Sequence, residues 1–218
     1  MKRICVFCAS KPGARPEYVE AARDLGRTLA GRGLAIVCGA GGVGLMNELS
    51  NAALDAGGEV IGVIPHALVE RELAHRGLTG LRVVDSMHER KALMADLSDA
   101  FIALPGGYGT FEELLEIVTW AQLGLHEKPC GLLNVVGYYT RLQQFLDHAV
   151  NERFLKPEHR ALLLVGESPA DLLGQFEAYV PPAVEKWIGR AVNTVPGQML
   201  RDSRHQSRSI APGTVSPS

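Results

Sequence analysis

Two carboxylates, Glu112 and Glu113, follow directly on three glycines in the stretch Pro105-Gly106-Gly107-Tyr108-Gly109-Thr110-Phe111. A carboxylate can stabilise a developing cation or activate water. Glycine lacks a Cβ and permits positive φ, so backbone N–H groups can crowd around an anion. The apolar run Ala100 to Leu104 reads as a buried strand, and Phe111 to Leu123 as an amphipathic helix whose N-terminus adds partial positive charge. The corner therefore reads as a phosphate cradle built on Gly106, Gly107 and Gly109, with Thr110 as an N-cap or hydroxyl donor and Tyr108 able to stack on a base or ribose. A phosphate ester held there presents the rest of its molecule to Glu112 or Glu113, which implies chemistry on a nucleotide. The plainer alternative is a strand-to-helix turn with no ligand. Glu113, read as lying in the first helical turn, would then be an ordinary partner of the helix dipole, which accounts for only one of the two glutamates.

A second glycine corner, Cys38-Gly39-Ala40-Gly41-Gly42-Val43-Gly44, separates a strand-like run (Leu34 to Cys38) from a helical one (Gly44 to Ala56). It partly matches a dinucleotide fingerprint. That fingerprint needs its glycines after the first strand of a βαβ unit and an acid near the end of the next strand. Here the next strand, Glu59 to Pro65, ends in Ile64-Pro65. Gly41 and Gly42 read instead as a second wall on the phosphate side.

Strands and helices must alternate to place these corners. Apolar runs at Ile4 to Cys8, Leu34 to Cys38, Val60 to Ile64, Leu81 to Val84, Ala100 to Leu104 and Cys130 to Val135 read as strands, with helical patterns between most of them. This predicts a single α/β domain with a Rossmann-like parallel sheet and helices on both faces. Ligands of such sheets bind beyond the carboxyl ends of the strands. Both glycine corners and the loop after Ser10 fall there. His66 to Gly80 is the longest interruption, polar, and reads as a lid or a solvated connection.

The remaining chemistry-bearing residues give little. The histidines show no HxxxH or HExxH pattern, and His88, next to the Arg90-Lys91 pair, reads as a surface residue or one supporting the site from behind rather than as a base. Cys5 and Cys8 form a CxxC, but residues three apart in a strand face opposite ways and no second ligand pair follows, so no metal is expected. All four cysteines read as reduced core residues without disulfides. A formal charge of −2 over 218 residues gives no electrostatic case for nucleic acid. The longest uncharged stretch, Gly33 to Asn47, is too short to cross a bilayer, and Met1-Lys2-Arg3 precedes a β-like run rather than a signal-peptide core. A cytoplasmic location is expected. From residue 189 the chain is polar, rich in Ser, Pro, Gly and Arg, and reads as a disordered tail behind a domain spanning residues 1–188.

Taken together, Cys5-Val6-Phe7-Cys8-Ala9-Ser10, the run Gly39 to Glu48 (GAGGVGLMNE), Met87-His88-Glu89-Arg90-Lys91 and Pro105 to Glu113 (PGGYGTFEE) carry a family resemblance. The chain resembles the LONELY GUY (LOG) family of cytokinin riboside 5′-monophosphate phosphoribohydrolases, whose older members were often labelled lysine decarboxylases. The resemblance runs roughly from Lys2 to Gln175, with Ala9 where the family usually has glycine; the tail has no counterpart. It implies hydrolysis of the N-glycosidic bond of N6-modified AMP, or of AMP itself, by a cofactor-free homodimer. It assigns the catalytic roles to Glu113 and Arg90 and a substrate contact to Glu72, which makes the 66–80 segment a lid. Ser10, Gly41, Gly42, Lys91, Gly106, Gly107, Tyr108, Gly109, Thr110 and Glu112 complete the expected binding set. Two rival functions stand beside this one. Lys91 could carry a pyridoxal Schiff base, although the size and context of the chain are wrong for such an enzyme. A molybdenum-cofactor carrier would have similar glycine corners and hold a phosphate-bearing ligand without cleaving it.

Overall fold

In the computed structural model, which describes residues 1–69 and 74–182, the apolar runs assemble into one seven-stranded sheet in the order β4-β3-β2-β1-β5-β6-β7. The strands are β1 (Arg3–Phe7), β2 (Ala35–Cys38), β3 (Val60–Pro65), β4 (Gly80–Val84), β5 (Ala100–Ala103), β6 (Cys130–Leu133) and β7 (Leu163–Gly166). All six pairings are parallel. Parallel neighbours need a crossover, and helices α1 (Pro16–Gly31), α2 (Gly44–Asp55), α3 (His66–Val69), α4 (Met87–Leu97), α5 (Tyr108–Gln122), α6 (Thr140–Asn151), α7 (Pro157–Arg160) and α8 (Pro169–Glu177) lie along the chain between and after the strands. The sequence-predicted α/β class and Rossmann-like parallel sheet hold.

The side-chain period of two divides the core between two faces. Ile4, Val6, Ile36 and Ile102 pack against apolar residues of α1, α2 and α8, among them Leu25, Leu29, Leu45, Leu49 and Leu172. Cys5, Phe7, Val37 and Phe101 point the other way, to Met94 of α4 and to Leu114 and Ile117 of α5. Cys5 and Cys8 accordingly sit on opposite faces, and all four cysteines are buried free thiols.

Three sequence-based boundaries need correction. Strand β7, from the apolar Leu163–Gly166, escaped notice because it is a four-residue run pressed between the helical turn α7 and the Ser168-Pro169 start of α8. The sixth strand stops at Leu133 rather than Val135, because Asn134 leads into a short 3-10 turn in which Val136 sits at φ +44. The segment expected to interrupt the fold from His66 begins with the helical turn α3. On its far side Ala74 bridges Gly41, and the His75 N–H donates to the Ala40 carbonyl at 3.0 Å. Glu72 and the tail from residue 189 lie outside the described residues, as does the lid expectation at residues 70–73. Among the described residues no helix is long and apolar enough to cross a membrane.

Candidate active site

Strand order runs one way from β1 out to β4 and the other way from β5 out to β7, and this switch point between β1 and β5 is where a doubly wound sheet opens a crevice. The loops leaving β1, β2 and β5 meet there. The Ala9 N–H donates to the Pro105 carbonyl and the Met46 N–H to the Ala9 carbonyl, both at 3.3 Å. Gly44, at φ +63, lets α2 seat directly on the Ser10–Lys11 peptide: a Cβ there would lie 2.2 Å from the Ser10 carbonyl carbon. The glycine corners and the Ser10 loop are thus brought side by side.

At the first corner the helix begins earlier than its pattern implied. Gly107, at φ −100 and ψ −152, is the N-cap of α5. Thr110 is therefore not the cap but the third residue of the helix, and it is buried. Glu113 falls in the second turn, and no acid occupies the first, so the dipole-partner explanation of Glu113 drops out. None of Gly106, Gly107 and Gly109 uses positive φ. Their reasons are separate. A Cβ on Gly106 would lie 2.0 Å from Thr110 Oγ1, whereas at Gly107 and Gly109 it would meet nothing within 4 Å. The first-turn N–H groups of α5 have no upstream helical carbonyl to bind. Tyr108 stands at the mouth, 93% exposed.

These spacings predict opposite outcomes for two alanine substitutions. Gly106→Ala should lower stability by about 1–3 kcal/mol through overpacking against Thr110. Gly107→Ala should change stability by less than ~0.5 kcal/mol, as an open surface position does. Chemical denaturation of both variants checks this, and the stable Gly107→Ala protein then reports on ligand space through its affinity for phosphate-bearing ligands.

Facing the corner is α4. Ser86 caps it by accepting the Glu89 N–H at 3.1 Å, and Glu89 accepts the Asp85 N–H at 2.9 Å, so Arg90 and Lys91 follow within the first turn and a half. Arg90 is only 6% exposed. Its guanidinium lies over Gly39, where a Cβ would come within 1.9 Å of Nη2. Nη2 is 3.7 Å from Glu113 Oε1, Nη1 is 3.7 Å from Met87 Sδ, and Nε has no hydrogen-bond partner among the described residues. A buried guanidinium with a donor unsatisfied is costly unless something else binds it. Burial, with the Glu113 carboxylate contributing, raises the Cys5 and Cys8 thiols well above the usual cysteine range. They are inert wall, not nucleophiles.

Lys91 makes a second rung between α4 and α5, pairing with Glu112 and, at 2.9 Å, with Glu116. Burial pulls its pKa down, but the pairing with the Glu112 and Glu116 carboxylates outweighs this and holds it above the ordinary lysine value. A Schiff-base lysine needs the reverse, an amine readily deprotonated. Glu112 is thereby engaged with Lys91, which leaves Glu113 as the carboxylate beside Arg90.

At the second corner Gly41 is buried, and its N–H points to Met46 Sδ at 2.9 Å, so of the two expected wall glycines only Gly42 is partly open. Ala40 is held at φ +66, a left-handed conformation that a Cβ disfavours. Next to it is a cavity of about 850 Å³ lined by Gly42, Asn47, Val69, Ala74, His75 and Arg76, among others. His88 is exposed. Among the described residues no group of three or more His, Cys, Asp or Glu is placed to hold a metal ion. Sequence reasoning missed Gly39 as the seat of Arg90. It also missed Tyr138 and Tyr139, whose hydroxyls reach carbonyls of the first corner; their position just past a strand's carboxyl end was the available signal.

By strand order and by where its loops gather, the protein belongs to the Rossmann-like α/β class. Solved structures agree: the molybdenum cofactor carrier protein of Chlamydomonas reinhardtii matches with TM-score 0.63 at 22% identity over 82% of this chain and 99% of that one. A molybdenum cofactor binding protein from Rippkaea orientalis gives 0.62 at 23%, over 82% and 97%. At such identities the likeness is one of fold. Sequence relatives go further. The family described as "Possible lysine decarboxylase" matches residues 46–176. Cytokinin riboside 5′-monophosphate phosphoribohydrolase LOG3 of Arabidopsis thaliana is 51% identical over 180 residues, 83% of this chain and 84% of its own length. The protein named "Probable cytokinin riboside 5′-monophosphate phosphoribohydrolase LOGL5" of Oryza sativa subsp. japonica is 53% identical over 181 residues, covering 83% and 74%. The chain belongs to the LOG family of phosphoribohydrolases.

Proposed function

We propose that this protein hydrolyses the N-glycosidic bond of N6-modified adenosine 5′-monophosphates, or of AMP, releasing the free base and ribose 5-phosphate. The observation that carries this reading is the buried Arg90–Glu113 pair set beside a glycine corner at the sheet's switch point. The 5′-phosphate rests on the N-terminus of α5 and the open faces of Gly107 and Gly109, with the first-turn N–H groups as donors. The C1′–N9 bond breaks with its electron pair going to the base, and positive charge builds on the ribose as in glycoside hydrolysis. Glu113 stabilises that charge and takes a proton from the water that adds to C1′; the departing base is protonated in turn, so the sum is nucleotide plus water. Arg90, always charged, cannot serve as an acid; it fixes the phosphate and orients Glu113.

The 850 Å³ cavity beside Gly42 gives room for a purine with an N6 substituent. Ser10, Tyr108, Thr110, Glu112 and Lys91 complete the proposed binding set, and Glu72 joins it on family resemblance. A homodimer is supported by apolar side chains left outside the fold on α5 and α6, Leu115 at 43% and Phe145 at 64% exposure. Four free thiols fit a reducing, cytoplasmic setting. The division into a domain of residues 1–188 and a polar tail from 189 stays part of the proposal. The carrier alternative rests on shared fold, and a carrier has no need of a carboxylate at C1′.

The test is to incubate purified protein separately with AMP, isopentenyladenosine 5′-monophosphate and lysine, and to assay free base, ribose 5-phosphate and released carbon dioxide. Base and ribose 5-phosphate should appear together from a nucleotide. Carbon dioxide from lysine, or no product from either nucleotide, contradicts the reading.

A further inference from the structure

The turn after β6 carries two consecutive tyrosines whose hydroxyls both reach the first glycine corner from below. Tyr139 donates to the Leu104 carbonyl at 2.6 Å, and Tyr138 donates to the Gly106 carbonyl at 2.5 Å. Burial raises the pKa of the Tyr139 hydroxyl far above its ordinary value, so it remains a donor. The turn itself is stiffly held: Asn134 accepts the Tyr139 N–H at 2.8 Å and donates to Glu167 at 3.0 Å. Val136 and Gly137 both take positive φ to bring the two rings round. The rings then form a continuous edge-on series, Tyr18 to Tyr138 at 5.7 Å, Tyr138 to Tyr139 at 5.0 Å and Tyr139 to Phe111 at 6.3 Å between centroids. Tyr18 also abuts Gly13 in the loop after β1, where a Cβ would lie 2.6 Å from its ring. The series therefore connects the loop of β1, through the corner, to the first turns of α5.

We infer that Tyr138 and Tyr139 are positioning residues for the phosphate cradle, fixing the peptide planes of Leu104-Pro105 and Gly106-Gly107 so that the donors of the corner face the ligand. In a trans peptide the carbonyl and the following N–H point opposite ways. Holding the Gly106 carbonyl down on Tyr138 thus sets the direction of the Gly107 N–H. Pro105 has no N–H, so the Tyr139 bond fixes the entry of the loop rather than a donor. Neither tyrosine need touch the substrate. Gly107, with φ near −100 and no Cβ to restrict it, has many peptide orientations open to it, and the tether selects one. Preorganised donors bind an anion better than donors that must be turned on arrival.

This inference rests on the reading of the corner as a phosphate site, and the experiment separates the two. Tyr138→Phe keeps the ring in its aromatic series and removes only the hydroxyl. Its dissociation constant for ribose 5-phosphate, measured by calorimetry, should rise about fivefold to tenfold, the effect of losing one neutral hydrogen bond. Affinity for adenine should stay at its wild-type value and the thermal midpoint should fall by only a few degrees, the cost of one lost hydrogen bond, while the preference of kcat/KM for AMP over adenosine should shrink by the same factor as the ribose 5-phosphate affinity. Unchanged ribose 5-phosphate affinity overturns the inference, and so does an equal loss of adenine affinity, which would mean general loosening. If the wild-type protein binds ribose 5-phosphate yet cleaves no nucleotide, the function fails while the calorimetry still decides the tether. If it binds no ribose 5-phosphate, both fall. Tyr139→Phe, which leaves the buried Leu104 carbonyl without its hydroxyl donor, should add to the phosphate defect if it folds; if it does not fold, Tyr138→Phe alone decides.

Discussion

Glu113→Gln is expected to keep the fold and nucleotide binding while turnover falls by about a hundredfold or more, the usual scale for a lost acid–base group. Glutamine is nearly isosteric and can still accept a hydrogen bond, so it removes the charge without emptying the space over Arg90. That choice matters because the pair is buried, at 7% and 12% side-chain exposure. Truncation to alanine would take away the hydrogen-bond acceptor and the packing volume as well as the counter-charge, a loss of about 3–5 kcal/mol that would confuse folding with catalysis, whereas glutamine forfeits the charge alone. Single-turnover rates for a nucleoside monophosphate, beside an equilibrium binding measurement on the same variant, separate the two effects. Near-normal turnover would remove Glu113 from the mechanism, and equal loss of binding and rate would make it a binding residue.

Much of this arrangement was legible in the residues. Buried parallel strands read as unbroken apolar runs, so six of the strands and the placement of both glycine corners at carboxyl ends followed from pattern alone. What failed did so for identifiable reasons. The apolar pattern starts the helix of the first corner three residues late because Gly109 looks like a turn residue, whereas in α5 it occupies the first turn. Gly106 reads in sequence as one of three cradle glycines but is a packing glycine against Thr110. Gly39, Arg90 and Glu113 come from three separate segments, and only the fold shows that the guanidinium lies on one and beside the other. Tyr138 and Tyr139 act through their hydroxyls on carbonyls more than thirty residues upstream, a relation with no local spacing to betray it.

The largest effect should come from the substrate rather than the protein: removal of the 5′-phosphate. Each charge-assisted hydrogen bond to a dianion is worth roughly 1.5–3 kcal/mol, so two or three from the first turn of α5 imply discrimination of several hundredfold or more. That binding energy also holds C1′ against Glu113, so its loss should lower kcat as well as raise KM. Gly107 and Gly109 leave open space where a side chain would stand, and no contact within the described residues requires their bareness. A ligand does. The decisive measurement is kcat/KM for AMP against adenosine, paired with isopentenyladenosine 5′-monophosphate against its riboside. A preference for the monophosphate of several hundredfold or more in at least one pair, with free base and ribose 5-phosphate as products, is the predicted result; comparable values in both pairs would mean that the glycine corner is only a turn and would contradict the assignment.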